Sequence, residues 1–179
     1  MVLPEASTDN VRYLVLESSQ KAGVTRLLYD QTGNPEWVYL FADTDWQLYL
    51  AESPIVLKAT QQSPEYQWAV QELKGGELTG LILESSDGLE AVAGWLRARL
   101  KVRFDGHRQG LLRFYDPKIW HRLSPTFSQN IDVVERVIYW YGNAGEGRWK
   151  TNEKPSPFTM FPMPTLNETQ WKTLNTVTA

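Results

Sequence analysis

Cysteine is absent from this 179-residue chain, and histidine occurs only twice, at His107 and His121. The missing cysteine excludes a disulfide framework, thiolate metal sites and cysteine nucleophiles. Two histidines are too few for a histidine-rich metal site, so neither a metal nor another cofactor is expected. The longest apolar runs, such as Tyr13–Leu16 and Val137–Tyr141, are far too short to span a bilayer, and no signal-peptide pattern is visible. The sequence therefore predicts a cytoplasmic protein without a membrane partner.

Catalytic motifs are missing as well. No glycine-rich phosphate loop follows a predicted strand, and no G-x-S-x-G elbow occurs. Each histidine has an aspartate close by, Asp105 for His107 and Asp116 for His121, and such pairs can transfer protons. A nucleophile and a pocket would also be needed, so no catalytic residue is predicted. A small α/β hydrolase or ligand-binding domain that uses His107 or His121 with Asp116 is the alternative function.

The charge is distributed unevenly along the chain. The formal net charge of −3 combines −9 over residues 1–96, +6 over residues 97–122 and zero over residues 123–179. A basic stretch can bind nucleic acid, but a pI near 5.5 argues against a nucleic-acid partner. The stretch either pairs with the acidic part inside one fold or steers an acidic protein partner. Its predicted partner contacts are Arg99, Lys101, Arg103 and Arg113.

Hydrophobic patterning predicts alternating strands and helices up to residue 125, which is typical of an α/β layer architecture. Strands are expected at 11–17, 37–41, 55–58, 78–83, 101–104, 111–115 and 137–141. Helices are expected at 19–29 after a Ser18 or Ser19 cap, at 44–51, at 64–74, from 87 to 100, and from Pro117. The turn Asp105-Gly106 predicts a hairpin, which makes the sheet mixed. Residues 11–142 form the predicted core, and 143–179 a Gly- and Pro-rich extension with a short terminal helix from Asn167.

Eight tryptophans and eight tyrosines are more than one small core usually needs. Both residue types are enriched in cores and at protein interfaces. Most are expected to be core residues, and four are predicted anchors for a partner: Tyr115, Trp120, Trp140 and Phe158.

The most distinctive local string is Leu112-Arg113-Phe114-Tyr115-Asp116-Pro117. It predicts a strand-to-helix junction, because Asp116 can accept the free amides of the next turn and Pro117 suits the first helical position. Phe114 and Tyr115 are expected on opposite faces of the sheet. Arg113, on the face of Tyr115, needs a carboxylate or carbonyl partner if buried. Phe114, Asp116 and Pro117 are thus predicted structural residues.

Four segments in this order resemble the family of domain of unknown function 4123, the effector adaptors of the bacterial type VI secretion system. They are Arg12–Ser18, the block Leu40–Thr44 with Ser53–Leu57, the helix Leu89–Leu100, and the string Leu112–Pro117. The resemblance spans about residues 12–125, and Leu166–Leu174 is similar to the start of a family C-terminal helix.

The resemblance implies a non-enzymatic adaptor, or chaperone, in the cytoplasm of a Gram-negative bacterium. Such an adaptor binds an effector toxin in the producing cell and helps to load it onto a VgrG-type spike or its tip. No catalytic residue carries over, and the string Arg113–Pro117 carries over as a fold feature and a candidate binding feature. The expected effector site is an apolar, aromatic-rimmed groove whose charged rims select the partner.

Overall fold

The computed structural model describes residues 2–4, 11–18, 23–130, 132–160 and 163–176. The strands are β1 (Val11–Ser18), β2 (Glu36–Tyr39), β3 (Ile55–Thr60), β4 (Leu78–Glu84), β5 (Lys101–Phe104), β6 (Arg108–Leu111), β7 (Ser128–Gln129), β8 (Arg136–Asn143), β9 (Glu146–Glu153) and β10 (Pro155–Ser156). The α-helices are α1 (Val24–Tyr29), α2 (Pro64–Gly75), α3 (Leu89–Arg97), α4 (Pro117–Leu123) and α5 (Glu168–Asn175), and two 3-10 helices cover Gln47–Glu52 and Ser124–Thr126.

Six strands form the main sheet, in the order β2-β3-β1-β4-β8-β9. Side chains alternate between its faces, so Tyr13 and Val15 of β1 enter one hydrophobic cluster and Leu14 and Leu16 enter the other. Helices α3 and α4 cover the first face, and α1 and α2 cover the second. This double burial explains the continuous apolar run in β1. The predicted α/β architecture, a sheet flanked by helices, is confirmed.

The strand directions are more uniform than those of the mixed sheet that we expected from the hairpin. Every pairing in the main sheet is antiparallel. The predicted hairpin forms, but β5 and β6 make a separate two-stranded sheet. Asp105 and Gly106 adopt positive φ angles of 47° and 83°, which closes the turn on the Phe104–Arg108 pair. The second strand of this hairpin, β6, ends at Leu111.

The predicted strand at 111–115 is wrong beyond its first residue, because residues 112 and 113 have no regular structure and residues 114–116 turn the chain into α4. Without the two-residue alternation of a strand, Phe114 and Tyr115 both enter the same core cluster instead of opposite faces. The predicted helix at 44–51 is a 3-10 helix, Gln47–Glu52, with non-helical backbone at Tyr49. Helix α1 begins at Val24 after an extended Gly23 with no side-chain cap. The predicted cap Ser18 is wrong, because Ser18 is the last residue of β1, and the other predicted cap, Ser19, lies outside the described residues.

The segment after residue 142 is part of the fold. The predicted boundary between 142 and 143 falls inside β8, and β9 is the sixth strand of the main sheet. Phe158 and Leu166 are buried in the core cluster that α3 and α4 cover. The terminal helix α5 follows Asn167, as predicted, and a reciprocal capping box with Gln170 starts it.

A row of alternating charges crosses one end of the sheet, from β1 through β4 and β8 to β9. Arg12 Nη2 lies 2.9 Å from Glu84 Oε1, and both side chains are buried. Arg12 Nη1 donates to the Tyr66 hydroxyl of α2 at 2.7 Å. Arg136 Nη1 lies 3.5 Å from Glu84 Oε2, and Arg136 Nε lies 2.9 Å from Glu153 Oε1. Four strands are thus joined through side chains as well as through the backbone.

Candidate functional site: a cationic cleft at the sheet end

A cleft of about 650 Å³ opens at the end of the sheet where β4 begins and β8 turns into β9. Its walls are the C-terminal end of α2, the cleft-facing side of α4, and the β8–β9 hairpin. The volume is in the range of small-molecule sites.

Helix α2 forms the first wall. Its start follows the predicted signal: Ser63 Oγ accepts from the Tyr66 amide at 3.3 Å, and Pro64 occupies the first turn. It ends at Gly75 and is capped by Gly76, which adopts a left-handed φ of 81°. Lys74, in the last turn, lines the cleft. The Gly145 amide at the hairpin tip donates to the Lys74 carbonyl at 3.0 Å, so the hairpin is tied directly to α2.

The hairpin supplies an aromatic wall. The Trp140 indole lies across Gly147, where a Cβ atom would come within 2.7 Å of the ring, so only glycine leaves room for it. The Trp140 ring packs edge-to-face on Trp149, with centroids 5.2 Å apart. The ammonium of Lys74 lies 5.7 Å from the Trp140 ring centroid. Tyr141 lines the cleft beside Trp140 and is 38% exposed.

Helix α4 forms the third wall, and its start confirms the predicted cap. Asp116 Oδ1 accepts from the Lys118 amide at 2.8 Å, and Pro117 follows at the first position. Trp120 and Leu123 face the core, and Trp120 Nε1 donates to Asn152 Oδ1 of β9 at 2.8 Å. Lys118, His121 and Arg122 line the cleft instead.

The cleft is strongly cationic. Lys74, Lys118 and Arg122 line it, and Asp116 is the only carboxylate among the described residues that line it. One oxygen of Asp116 is already engaged in capping α4. The cleft therefore favours an anionic occupant.

His121 lies between the tyrosines of β8. Its Nδ1 is 2.8 Å from the Tyr139 hydroxyl, and its ring stacks on Tyr141 with centroids 3.8 Å apart. Burial lowers the pKa of His121 below its ordinary value of 6.5, and the charges of Lys150 and Arg148 lower this pKa further. The imidazole is thus neutral near pH 7, and its environment adds two more cations around the cleft.

Four of the predicted partner contacts are buried: Arg99, Tyr115, Trp120 and Phe158. Arg99 stacks on the Trp95 ring at 3.7 Å, and its Nη2 lies 3.1 Å from Asp132 Oδ2. Burial lowers the pKa of Arg99 to about 10, and Asp132 opposes the shift. These four side chains stabilise the core, so a direct contact of theirs with a partner would need the core to open. Their partner-binding role stays a prediction.

Other cations of the basic stretch pair within the fold. Lys101 Nζ lies 2.8 Å from Asp45 Oδ2, and Arg113 pairs with Glu17 of β1. Both carboxylates belong to the acidic part of the chain. Arg103 is half-buried, and its backbone bonds to the C-terminal segment: its amide donates to the Pro164 carbonyl at 2.8 Å. For Lys101 and Arg113, the structure thus shows the first of the two expected roles of the basic stretch, which is pairing with the acidic part of the chain.

The cleft brings together only some of the predicted site residues, namely Asp116, Pro117 and Trp140, with His121 of the alternative function. His107 is exposed in the β5–β6 turn and does not line the cleft. Asp116 caps α4 and His121 Nδ1 bonds to Tyr139, so nothing in this geometry favours an acid–base pair.

Sequence reasoning missed Lys74, Lys118, Arg122 and Tyr141 as cleft residues. A signal was present for two of them. Lys118 and Arg122 are four residues apart, so they share one face of α4, opposite to the apolar face of Trp120. Lys74 and Tyr141 carry no comparable local signal, because only the hairpin-to-helix contact brings their segments together.

Among the described residues, no helix is both long and apolar enough to cross a membrane. No group of three or more potential metal-ligating side chains occurs in the same part of the chain.

Comparison with known proteins places the chain in a family. No curated protein and no solved structure matches it. The family model for a domain of unknown function, DUF4123, matches residues 12–131. That stretch runs from β1 through β7 and includes two walls of the cleft, and the β8–β9 wall lies beyond it. Because the match covers well over half of the chain, including the junction Leu112–Pro117, the protein belongs to the DUF4123 family.

Proposed function

We propose that this protein is a non-enzymatic adaptor that binds a type VI secretion effector and helps to load it onto a VgrG-type spike or its tip. Membership of the DUF4123 family supports this proposal, since the matching segments resemble those of such adaptors. The observation that carries it is the position of Asp116 and Pro117. These last residues of the family-like string form part of the wall of the cationic, aromatic-walled cleft.

The groups in the cleft suit binding better than chemistry. Asp116 holds the start of α4, and His121 is oriented by the Tyr139 hydroxyl and the Tyr141 ring. Partly exposed Tyr141 and the cations beside it are side chains of the kind that recognise a partner protein. An adaptor needs such a recognition surface on a rigid frame, and the antiparallel sheet supplies that frame.

Deletion of the gene in its own bacterium tests the proposal. The strain should lose delivery of one toxin into competitor cells, while secretion of the spike and of other effectors continues. Restoring the wild-type chain should restore delivery of that toxin. In parallel, the tagged chain co-expressed with the toxin encoded nearby should co-elute with it in size-exclusion chromatography. Unchanged delivery of every effector in the deletion strain would overturn the proposal.

A further inference from the structure

The cleft contains cations whose charges are not neutralised within the described part of the chain. Neither Lys74 nor Lys118 forms an ion pair with a described carboxylate. This contrasts with Lys101 and Arg113, which have carboxylate partners. The charges of Lys74 and Lys118 are thus available to an occupant of the cleft.

These two cations stand on different walls. Lys74 belongs to α2 and Lys118 to α4, and both line the same cleft. An extended chain lying between the walls can therefore present carboxylates to both sides. A compact anion that needs several donors at one point is less well served, because the cleft has no glycine-rich phosphate loop.

An aromatic surface lies between the cations. The Lys74 ammonium is 5.7 Å from the Trp140 ring centroid on the α2 side, and Tyr141, the next residue of β8, stacks on His121 on the α4 side. A segment that alternates carboxylates with an apolar or aromatic residue would match this order of cation, ring and cation.

We propose that this cleft binds an extended acidic segment of a partner protein, with carboxylates at Lys74 and Lys118 and an apolar side chain on the Trp140–Tyr141 wall. That the partner is a secretion effector rests on the proposed function. The acidic segment is the part of the effector that the adaptor would recognise, and electrostatic attraction would speed its capture.

A binding measurement with the full chain tests this. The probe is a short fluorescein-labelled peptide of glutamates interspersed with leucine and tryptophan, and its partner peptide has every glutamate replaced by glutamine. Fluorescence anisotropy should show about tenfold tighter binding of the glutamate peptide at low salt, and the preference should shrink as salt rises.

Two matched double variants separate the cleft from overall charge. Lys74→Glu/Lys118→Glu should weaken binding of the glutamate peptide about tenfold or more, because two attractions become repulsions. Arg26→Glu/Lys172→Glu changes the net charge equally at exposed sites outside the cleft lining and should stay within about twofold of wild type. Tyr141→Ala, which keeps the charge, should weaken binding several-fold by removing the aromatic contact.

Three results would overturn the inference. An equal loss of affinity for the glutamate peptide in both double variants would mean that binding depends only on the net charge of the protein. Displacement of the peptide by ATP or by a single-stranded oligonucleotide at equal concentration would assign the cleft to nucleotides. If the wild-type chain forms a dimer and Lys74→Glu/Lys118→Glu is monomeric, the occupant of the cleft is a second copy of the chain.

The same variants distinguish this inference from the proposed function. If Lys74→Glu/Lys118→Glu fully restores toxin delivery to the deletion strain, the adaptor role stands and the cleft inference fails. If the deletion strain delivers every toxin while the purified chain still binds the peptide through the cleft, the adaptor role fails and the cleft assignment stands.

Discussion

Arg12 and Glu84 form a buried ion pair between the neighbouring strands β1 and β4, with Nη2 and Oε1 2.9 Å apart. Glu84 also faces Arg136 of β8, so one carboxylate serves two guanidinium groups. Such a pair is costly to break, because removing one partner leaves a charge that water cannot reach. The row of charged side chains from Arg12 to Glu153 therefore stabilises the end of the sheet that lies opposite to the cleft.

Replacing Glu84→Gln should lower the free energy of unfolding by roughly 3–5 kcal/mol, since Arg12 would remain buried without its counter-charge. Urea denaturation measures the change. Glu36→Gln is the control, because Glu36 forms an exposed pair with Lys58 and should change the stability by less than about 1 kcal/mol. Similar effects of the two substitutions would contradict the structural role of the row.

Gly80→Ala should destabilise the protein by about 3 kcal/mol or more, because a Cβ at this position would meet the Val15 carbonyl oxygen at 1.8 Å. Gly94→Ala in α3 is the matched control. Its Cβ would meet nothing within 4 Å, so the helix should gain about 0.5–1 kcal/mol. Thermal unfolding followed by circular dichroism compares both variants, and opposite signs are expected.

Tyr115 should give the protein a defined sensitivity to alkali. Burial raises the pKa of Tyr115 from 10 to about 12, Glu17 adds to the rise, and Arg113 opposes it. The folded state therefore holds this proton more tightly than the unfolded chain. The resulting stability, about 2–3 kcal/mol, is present below pH 10 and is lost as the pH rises toward 12. In Tyr115→Phe, urea midpoints should fall less steeply over this range. Equal slopes in both proteins would refute this origin.

Burial lowers the pKa of His121, and the positive charge of Lys150 lowers it further. Lys150→Gln removes that charge and should therefore raise the pKa of His121. NMR titration measures it, and His107→Gln assigns the signal because the chain has only two histidines. Lys172→Gln, whose charge does not act on His121, should leave the pKa unchanged.

The same shift has a consequence for stability. The folded-state pKa of His121 lies below its ordinary 6.5, so its contribution is present above that value and is lost as the pH falls. In Lys150→Gln this loss on acidification should be smaller. An unchanged His121 pKa in this variant would show that Lys150 does not act on the ring.

Local signals in the sequence were sufficient for most helices. Ser63, Pro64 and the Gly75-Gly76 pair predicted α2 nearly to the residue, because caps and breakers act within one turn. Asn167 likewise predicted the start of α5.

Strand β9 escaped prediction because only Trp149 of its eight residues is buried. It is an edge strand of the main sheet and mostly polar, and its sequence with Gly145 and Gly147 is typical of a loop. The cleft could not be predicted for another reason. Its parts are far apart in sequence, and only tertiary contacts such as that between Gly145 and Lys74 bring them together.

Position 74 carries two tasks on different atoms. Its carbonyl oxygen accepts the Gly145 amide and thereby joins the hairpin to α2, while its ammonium lies at the cleft beside Trp140. A substitution at this position alters the side chain and leaves the main-chain bond in place. The charge that residue 74 presents to the cleft can therefore change while the bond between the hairpin and α2, which shapes the cleft, is kept.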